Sequence, residues 1–251
     1  MMSEAGSKSH LVLMPSYDAG SRLVPTVQEA LKSWQPVWVV IDGSKDGSAE
    51  AVVDARLPGV KVIVLPENRG KGAAVMAGML AARNAGFRYA LVMDSDGQHP
   101  ADCIPKFMEL SLQNPGAMIL GEPEFGPEAP AERKRGRRIG NWWTNLETLW
   151  GGIGDSLFGF RVYPIHETLG VMESTRGGRR MDFDTQVAVR LYWRGVKPIN
   201  VKVPVRYLTR EQGGVSHFHY VRDNLLLIKA HTLLTLGMLG RIPKLRRLHK
   251  S

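Results

Sequence analysis

Four short apolar runs, each followed by a polar loop and a helix-forming stretch, occupy the first hundred residues of the chain. The runs are residues 10–14 (HLVLM), 37–41 (VWVVI), 60–65 (VKVIVL) and 89–93 (YALVM). Short continuous apolar runs of this kind are typical of strands that are buried on both faces of a parallel sheet. Helical patterns over 23–34, from Ser48 onward and over 73–84 separate them. The alternation predicts an α/β fold with a Rossmann-like, mostly parallel sheet flanked by helices.

The fourth run leads directly into two aspartates in the segment LVMDSDGQHP, residues 91–100. Parallel sheets bind their ligands at the carboxyl ends of the strands, which is where Asp94 and Asp96 are expected. Paired carboxylates suit a hard divalent cation such as Mg²⁺ or Mn²⁺, which also takes waters and substrate phosphates as ligands. An Asp-x-Asp pair alone is more often a solvated turn, so the metal assignment depends on the other loops at this edge.

Two other loops of the same edge carry residues suited to a nucleotide. Asp42 ends the second run and is placed to accept a hydrogen bond from a base or a ribose hydroxyl. Gly70, Lys71 and Gly72 precede the third helix, and a helix N-terminus beside a lysine suits a diphosphate. Each motif by itself is more often an ordinary turn. Their shared position at one edge favours a binding site.

The middle of the chain adds a fifth predicted strand, a loop and further candidates. Residues 117–120 (AMIL) read as a strand, and 122–138, with three prolines and the cluster RKRGRR, read as a mobile or merely solvated loop. Trp142, Trp143 and Trp150 indicate core packing, with an acceptor wall or an interfacial belt as alternatives. Met181 begins a helix with Asp182 and Asp184 in its first turn, as helix-dipole partners or as a general base for an acceptor hydroxyl.

The C-terminal segment combines a leucine-rich helix, residues 220–239, with the basic tail RIPKLRRLHKS. It is too polar to span a bilayer, and we expect it to lie amphipathically at an anionic membrane surface. Packing against the domain or formation of a homodimer are the alternatives. We therefore divide the chain into a main domain, residues 1–210, and this appended segment, residues 211–251. His217 and His219 precede the leucine-rich helix, and we interpret them as part of a loop by the acceptor site and not as a zinc site.

The charge distribution limits the partners. The net charge of +9 is concentrated in RKRGRR and in the C-terminal tail, each with five cations and no acid. Such clusters favour diphosphates or anionic lipid head groups. No aromatic residues interleave with them in a stacking pattern, so we expect no nucleic-acid partner. A single cysteine and the absence of a signal-peptide pattern at the N-terminus predict a cytoplasmic protein, peripheral at the inner face of the cytoplasmic membrane.

Six motifs, taken together and in this order, resemble family 2 glycosyltransferases, and within them the dolichyl- and polyprenyl-phosphate sugar synthases. They are PSYDAG, VVIDGSKDGS, ENRGKGAAVMAG, LVMDSDGQHP, GFRVYP and MDFDTQ. The resemblance covers about residues 9–207, and DSDGQHP is its most specific part. It implies a GT-A fold, a UDP- or GDP-linked sugar donor, a lipid or lipid-linked acceptor, a Mg²⁺ or Mn²⁺ cofactor and inversion at the anomeric carbon.

The resemblance also assigns roles to single residues. It implies that the first loop, with Pro15, Tyr17 and Asp18, frames the nucleotide base and that Asp42 contacts the nucleoside. It implies that Gly70 and Lys71 form the turn before the third helix, and that Asp94 and Asp96, with Gln98 beside them, bind metal and diphosphate. The arginine of the Gly-Phe-Arg turn, Arg161, is then expected to bind an acceptor or phosphate, with a structural ion pair as the alternative.

Three positions depart from the family pattern. Ile41 replaces the first acid of Asp-Asp-Gly-Ser, Ala19 replaces a common glutamate, and Glu122-Pro123 replaces a Ser-Arg pair. These departures support the alternative hypothesis, a membrane-binding module that keeps the fold without turnover. The intact Asp94, Asp96 and Gln98 favour the inverting, metal-dependent transferase. A nucleotidyltransferase is disfavoured because PSYDAGSR lacks the glycine-rich loop expected there.

Overall fold

A seven-stranded sheet forms the centre of the protein. The computed structural model describes residues 6–126, 131–175, 177–205 and 220–249, with the backbone only at 131–133 and 220. The strands are β1 (His10–Ser16), β2 (Val37–Asp42), β3 (Val60–Leu65), β4 (Tyr89–Val92), β5 (Met118–Glu124), β6 (Arg161–Pro164) and β7 (Pro198–Pro204). They are ordered β3-β2-β1-β4-β6-β5-β7. Only β6 runs antiparallel to its neighbours, so the predicted mostly parallel sheet is confirmed.

Nine α-helices within the described ranges surround this sheet. They are α1 (Leu23–Ser33), α2 (Ser48–Asp54), α3 (Lys71–Asn84), α4 (Ile104–Gln113), α5 (Ala131–Glu147), α6 (Ile165–Glu173), α7 (Phe183–Trp193), α8 (Tyr220–Leu239) and α9 (Ile242–Leu248). The α1, α2 and α4 helices bury their apolar residues on one face of the sheet. The α3, α6 and α7 helices, with α8 and α9, pack on the other face. Alternate residues of β1 enter the two cores: Leu11 and Leu13 enter one, and Val12 and Met14 the other. This is the pattern of a strand covered on both sides.

The first strand continues two residues past the predicted run 10–14 and includes Pro15. Pro15 lies within β1 and pairs with Val40 of β2. The pairing with β4 ends at Leu13, so Pro15 lies where β1 has a neighbouring strand on one side only. A residue without an N–H group is tolerated there.

The predicted mobile loop over 122–138 is wrong for the part that the structure describes. β5 continues to Glu124, and the RKRGRR cluster belongs to α5, which begins at Ala131. The prolines suggested a loop, but they precede the helix and do not interrupt it.

The expectation of core packing is also wrong for two of the three tryptophans, since Trp142 is 53 % exposed and Trp150 59 % exposed.

The C-terminal helix α8 has two apolar faces, whereas a simple amphipathic helix has one. Ala230, Leu234 and Met238 are buried on the side that faces the core. On the other side, the exposed residues Val221, Leu225, Ile228, Leu236 and Leu239 recur at helical spacing and form what we call the outer stripe. The inner face joins α8 to the core that α3, α6 and α7 build, so the predicted packing on protein is present.

A buried polar contact fixes α8 against α5. Nδ1 of His231 lies 2.9 Å from Oε1 of Glu147, whose side chain is fully buried. Burial raises the pKa of Glu147 above its usual value, and the hydrogen bond from His231 opposes this effect. The predicted boundary at residues 210 and 211 lies outside the described residues, as do His217 and His219.

No single helix in the described parts of the chain is long and apolar enough to cross a membrane. Val221–Leu239 and Ile242–Leu248 meet the length and composition criteria only as a pair, and the two helices are bent by 85°.

Candidate active site

Lys71 connects two carboxylates at the carboxyl end of the sheet. Its ammonium group lies 2.8 Å from Oδ1 of Asp94, just after β4, and 2.8 Å from Oδ2 of Asp184, in the first turn of α7. Gly159 makes this approach possible, because a Cβ atom there would come within 2.5 Å of Nζ of Lys71. Three segments far apart in sequence therefore meet at one charged cluster.

The loop after β4 is fixed by its own histidine. The backbone N–H of Asp94 donates to Nδ1 of His99 at 3.0 Å, so neutral His99 carries its proton on Nε2, which is 3.7 Å from Oδ2 of Asp94. The buried ring packs edge-to-face against Phe158 and Phe160. No role for His99 was predicted from the sequence, although it is part of the DSDGQHP motif. The backbone N–H of Gln98 donates to Oδ1 of Asp96, which shapes the same turn.

The surroundings of Asp94 and Asp96 shift the pKa values of these two aspartates in opposite directions. Burial alone would raise the pKa of Asp94, but the charge and hydrogen bond of Lys71, together with other positive charge nearby, outweigh burial and lower the pKa of that carboxyl. Burial raises the pKa of Asp96, and the neighbouring charge of Asp94 raises it further. Burial lowers the pKa of His99 and favours its neutral form. Burial also opposes the charge of Lys71, but Asp184 and Asp94 outweigh it and raise the pKa of the lysine.

The sequence suggested that Asp42 contacts a nucleoside, but its carboxylate is not open to such a ligand. It is 2 % exposed, and its two oxygens accept the backbone N–H groups of Arg69 at 2.9 Å and Gly70 at 2.7 Å. A buried carboxylate takes such donors because they offset the loss of hydration. Asp42 therefore positions the turn that carries Lys71.

The N-terminus of α3 is not an open anion site either. The N–H of Ala73 donates to the carbonyl of Arg179, and residues 178–180 cover the turn. A Cβ at Gly70 would lie 2.7 Å from that carbonyl oxygen, and one at Gly72 would overlap with Gly178. The contribution of this turn to the site is the side chain of Lys71, while its glycines allow the close packing.

The structure separates the two acids of the MDFDTQ motif. Asp182 accepts from the backbone of Gly178 and Arg180 and from Nε2 of Gln186, so both its oxygens serve local structure. Asp184 pairs with Lys71 through Oδ2, and its other oxygen, Oδ1, is buried without a hydrogen-bond partner. Of the two predicted candidates, Asp184 belongs to the charged cluster and Asp182 does not.

The expectation that Arg161 binds an acceptor or phosphate does not fit the structure. Its side chain is fully buried, and its guanidinium donates to the carbonyls of Phe158, Asp155 and Asp184 and to the hydroxyl of Tyr163. The fork of donors is used to hold the 155–160 segment onto α7. Arg161 therefore has a structural role and holds in place the backbone segments that carry the site.

The loop after β1 is tied to the loop after β2. The N–H of Asp18 donates to Oγ of Ser44, and Oδ1 of Asp18 accepts from the N–H of Lys45. Tyr17 lies half-buried beside them, directly after Pro15 and Ser16 of β1. The predicted base-framing residues Pro15, Tyr17 and Asp18 thus lie on the same edge of the sheet as Asp94.

The residues at this edge fit a hard divalent cation that shares its coordination with a substrate. Asp94 and Asp96 supply carboxylate oxygens, the ligands that Mg²⁺ and Mn²⁺ prefer. Within the described ranges, no group of three or more His, Cys, Asp or Glu side chains is arranged to hold a metal ion. The remaining ligands would therefore come from a diphosphate and from water.

A cavity of about 220 Å³ lies at the other end of the 155–160 segment. Lys134, Arg137 and Arg138 of α5 line it together with Asn141 and Asp155. Asp155 pairs with Arg137 and accepts from the backbone N–H groups of residues 157 and 158. A larger cavity of about 350 Å³, lined by Arg83, Arg88 and His166, contains none of the predicted site residues.

Comparison with known proteins supports the same family as the motifs. The family model described as glycosyl transferase family 2 matches residues 11–180, which include Asp94, Asp96, Lys71 and Arg161. The chain belongs to this family. Asp184 lies just beyond the matched region.

Curated relatives of this family 2 glycosyltransferase act on dolichyl phosphate according to their names. A dolichyl-phosphate beta-glucosyltransferase of Trichomonas vaginalis is 29 % identical over 60 % of this chain and 50 % of its own length. A dolichol-phosphate mannosyltransferase of Saccharomyces cerevisiae is 30 % identical over 41 % of each chain. The chain thus spans half or less of the length of these relatives.

Solved structures share the GT-A fold. Glucosyl-3-phosphoglycerate synthase from Mycobacterium tuberculosis, in complex with Mn²⁺ and UDP-glucose, aligns with a TM-score of 0.66 at 16 % identity, covering 94 % of this chain and 79 % of that one. TarS from S. aureus in complex with UDP-GlcNAc aligns with a TM-score of 0.58 at 13 % identity, covering 96 % and 72 %. At these identities the likeness concerns the fold alone.

Proposed function

We propose that this protein is an inverting glycosyltransferase that moves a sugar from a nucleotide-diphosphate donor to a lipid phosphate, with Mg²⁺ or Mn²⁺ as cofactor. The observation that carries the proposal is the cluster of Asp94, Lys71 and Asp184 beside Asp96 at the carboxyl end of the sheet. The cluster places carboxylates that can bind a divalent metal ion next to the ammonium group of Lys71, which can bind a diphosphate. The names of the relatives and the Mn²⁺ and UDP-sugar complexes of the structural neighbours support it.

The proposed reaction exchanges one bond at the anomeric carbon for another. An acceptor oxygen attacks that carbon from the face opposite the diphosphate, the carbon–oxygen bond to the diphosphate breaks, and the nucleoside diphosphate leaves with the electron pair. A bound divalent ion supplies charge neutralisation for this leaving group. Lys71 adds a positive charge on the same side, and the loops after β1 and β4 orient the donor.

The arrangement of the acids favours an acceptor that is already anionic. Asp182 is occupied by backbone and side-chain donors, and Asp184 is held in an ion pair with Lys71. A hydroxyl acceptor needs a base to take its proton, whereas a phosphate oxygen does not. This supports a lipid phosphate of the kind named for the relatives.

The basic cavity beside α5 is our candidate for the acceptor phosphate. Its cations Lys134, Arg137 and Arg138 lie next to Asp155, and the 155–160 segment leads from there to Gly159 at the metal-binding edge. We expect Arg138→Gln to raise the KM for the lipid phosphate several-fold, with the donor KM unchanged. Arg135→Gln, on the same helix but outside the cavity, is the matched control.

The exposed apolar surface of α8 supports a function at a membrane surface. The outer stripe of α8 is followed by Arg241, Lys244, Arg246 and Arg247, all exposed, and no acid follows Asp223 in the sequence. Apolar side chains beside cations are typical of a helix in the interface of an anionic bilayer. We infer that the protein binds the inner face of the cytoplasmic membrane, where a lipid acceptor resides. A homodimer stays a prediction.

The decisive experiment is a transfer assay with a panel of radiolabelled UDP- and GDP-sugars and a polyprenyl phosphate in lipid vesicles. We expect transfer from one nucleotide class, dependent on Mg²⁺ or Mn²⁺, and a thermal shift with that nucleotide only in the presence of metal. Asp96→Asn should reduce transfer at least about a hundredfold, because it removes a ligand of the cation that stabilises the leaving group. Anomeric NMR of the product tests the inversion.

The rival hypothesis, a membrane-binding module without turnover, predicts a different outcome. It requires vesicle binding with neither a nucleotide-dependent thermal shift nor transfer from any donor. Two departures that supported it have a packing explanation, since Ile41 and Ala19 are buried in the core on one face of the sheet. An apolar residue at either position leaves the carboxylates of the site in place.

A further inference from the structure

Lys71 already occupies the carboxylate that a cation would need. Its Nζ lies 2.8 Å from Oδ1 of Asp94, and the second oxygen of Asp94 faces His99. The lysine side chain is 13 % exposed and is held on its other side by Asp184, also at 2.8 Å. Neutralised in this way, Asp94 attracts a divalent cation less strongly than a free carboxylate does.

The formal charges show what each ligand meets when it arrives alone. A doubly negative donor diphosphate without a cation meets the carboxylates of Asp94, Asp96 and Asp184, two of which are paired with the ammonium group of Lys71. A divalent cation without a donor meets an Asp94 that is paired with an ammonium group. When the two enter together, their charges cancel and the net charge of the cluster is unchanged. Partly buried charges make such differences large.

The shortage of protein ligands has the same consequence. No set of three metal-binding side chains is present in the part of the chain that the structure describes. Mg²⁺ and Mn²⁺ bound by one or two carboxylates usually complete their coordination with substrate phosphates and water. The diphosphate thus brings ligands for the cation, and it also brings a new anionic partner for Lys71.

We propose that Lys71 is a positioning residue that couples cation binding to donor binding: it competes with the divalent cation for Asp94 and releases that carboxylate when a donor diphosphate becomes its partner. The proposal rests on the proposed function and concerns the order and coupling of ligand binding at that site. Lys71 is then the residue that makes the cation and the donor bind as one unit.

Titration of the full chain with Mn²⁺, followed by the EPR signal of free Mn²⁺, tests this coupling. For the wild type we expect weak binding of Mn²⁺ alone and binding at least about tenfold tighter with saturating UDP or GDP. In Lys71→Met, Mn²⁺ alone should bind about tenfold tighter than in the wild type, and the enhancement by nucleotide should fall to about threefold or less. By linkage, Mn²⁺ must change nucleotide affinity by the same factor.

Two further variants keep the test interpretable. Lys71→Met leaves Asp184 buried without its counterion, so the double variant Lys71→Met/Asp184→Asn removes that charge as well and should show the same gain in Mn²⁺ affinity. Lys106→Met, which removes an exposed lysine on α4, controls for the loss of one positive charge and should bind Mn²⁺ as the wild type does.

The outcomes separate this proposal from the proposed function. Mn²⁺ affinity that is unchanged or lower in both Lys71 variants, in the absence of nucleotide, overturns the coupling role. A wild-type protein that binds neither UDP nor GDP overturns the transferase, while the titration with Mn²⁺ alone still decides the role of Lys71. A gain in Mn²⁺ affinity with normal nucleotide enhancement also contradicts the coupling.

Discussion

Residues with the same side chain have different roles at this site because their surroundings differ. Asp42, Asp182 and Asp184 are all buried acids near the carboxyl edge of the sheet. Asp42 and Asp182 accept hydrogen bonds from backbone N–H groups and hold loops, while Asp184 faces the ammonium of Lys71. Of the three acids, only Asp184 therefore belongs to the charged cluster with Lys71, and substitution of the other two should act mainly through loop position.

We predict that Arg161→Met destabilises the fold and leaves substrate affinity unchanged. Removal of its guanidinium leaves the buried carbonyls of Phe158, Asp155 and Asp184 without a donor, which should lower the free energy of unfolding by about 3 kcal/mol. Urea denaturation measures this loss. Arg83→Met, which removes an exposed arginine 3.9 Å from Glu173, should cost less than about 0.5 kcal/mol. A stable Arg161→Met protein with a raised acceptor KM would reverse our assignment.

We predict that His10 makes the protein less stable at mildly acidic pH. Burial, helped by the charge of Arg88, lowers the pKa of His10 from 6.5 to about 4. The unfolded chain therefore binds a proton between these pH values that the folded chain does not, so stability falls as the pH drops from 6.5 to 4 and then levels off. The loss should be on the order of 3 kcal/mol.

The comparison of wild type with His10→Gln isolates this effect. The ring contacts the hydroxyls of Ser9 and Ser111 and stacks on Tyr89, so the variant is less stable at neutral pH but has a flatter pH dependence. Chemical denaturation at several pH values measures both. Parallel curves for the two proteins would show that His10 does not titrate as described.

At the scale of elements, α8 combines two opposite environments on one helix. Leu234 is fully buried against the core, while Leu236, two residues further along, is 61 % exposed. A helix places residues two apart about 200° from each other, so these leucines face opposite sides. The same residue type on the same helix thus serves folding on one face and is available for binding on the other.

We predict opposite outcomes for Leu234→Ala and Leu236→Ala. The buried truncation should lower the free energy of unfolding by about 3 kcal/mol, through lost burial and a cavity. The exposed truncation should change it by less than about 0.5 kcal/mol. Thermal or urea denaturation measures both, and each variant controls for the other. A large loss of stability in Leu236→Ala would mean that the outer stripe packs against protein.

The outer stripe gives the membrane inference its own test. The triple variant Leu225→Ser/Ile228→Ser/Leu236→Ser should reduce flotation with anionic vesicles about tenfold or more, because each substitution removes exposed apolar area that inserts between lipids. Its thermal midpoint should stay close to that of the wild type. Vesicle binding that is undiminished in the triple variant would exclude the stripe as the contact surface.

At the scale of the whole molecule, the charge is distributed unevenly over a nearly neutral body. The excess of nine positive charges comes from the RKRGRR cluster in α5 and from the residues after α8. The helices α5 and α8 pack against each other through Glu147 and His231, so the first cluster lies on a helix next to α8 and the other cations directly follow α8 in the chain. A membrane that meets the outer stripe would therefore also meet positive charge.

We predict that vesicle binding depends on anionic lipid and on salt. Binding should be at least about tenfold stronger to vesicles with phosphatidylglycerol than to neutral ones, and should fall as salt shortens the screening length. Co-sedimentation over a range of NaCl concentrations measures this. Equal binding to neutral and anionic vesicles would leave only the apolar stripe as the driving force.

The sequence alone determined the strands β1 to β5, the helices α1, α2, α3, α7 and α8, and the edge of the sheet at which the site lies. Apolar runs and their polar ends are local features, and a parallel α/β arrangement follows from their alternation. Asp94, Asp96 and Lys71 were identified because they follow strands whose carboxyl ends meet. The single antiparallel strand β6 and the start of α5 were missed, since pairing partners are not local information.

Only the tertiary structure decided which of the predicted polar residues are turned toward ligands. Asp42, Asp182 and Arg161 stand in motifs as distinctive as those of Lys71 and Asp184, yet their polar atoms are used by the backbone around them. Their pairing is set by segments far away in the chain, such as the contact of Arg161 with the carbonyl of Asp184. The two faces of α8 have the same cause: a leucine pattern shows that a helix is apolar, but the neighbouring elements decide which leucines they cover.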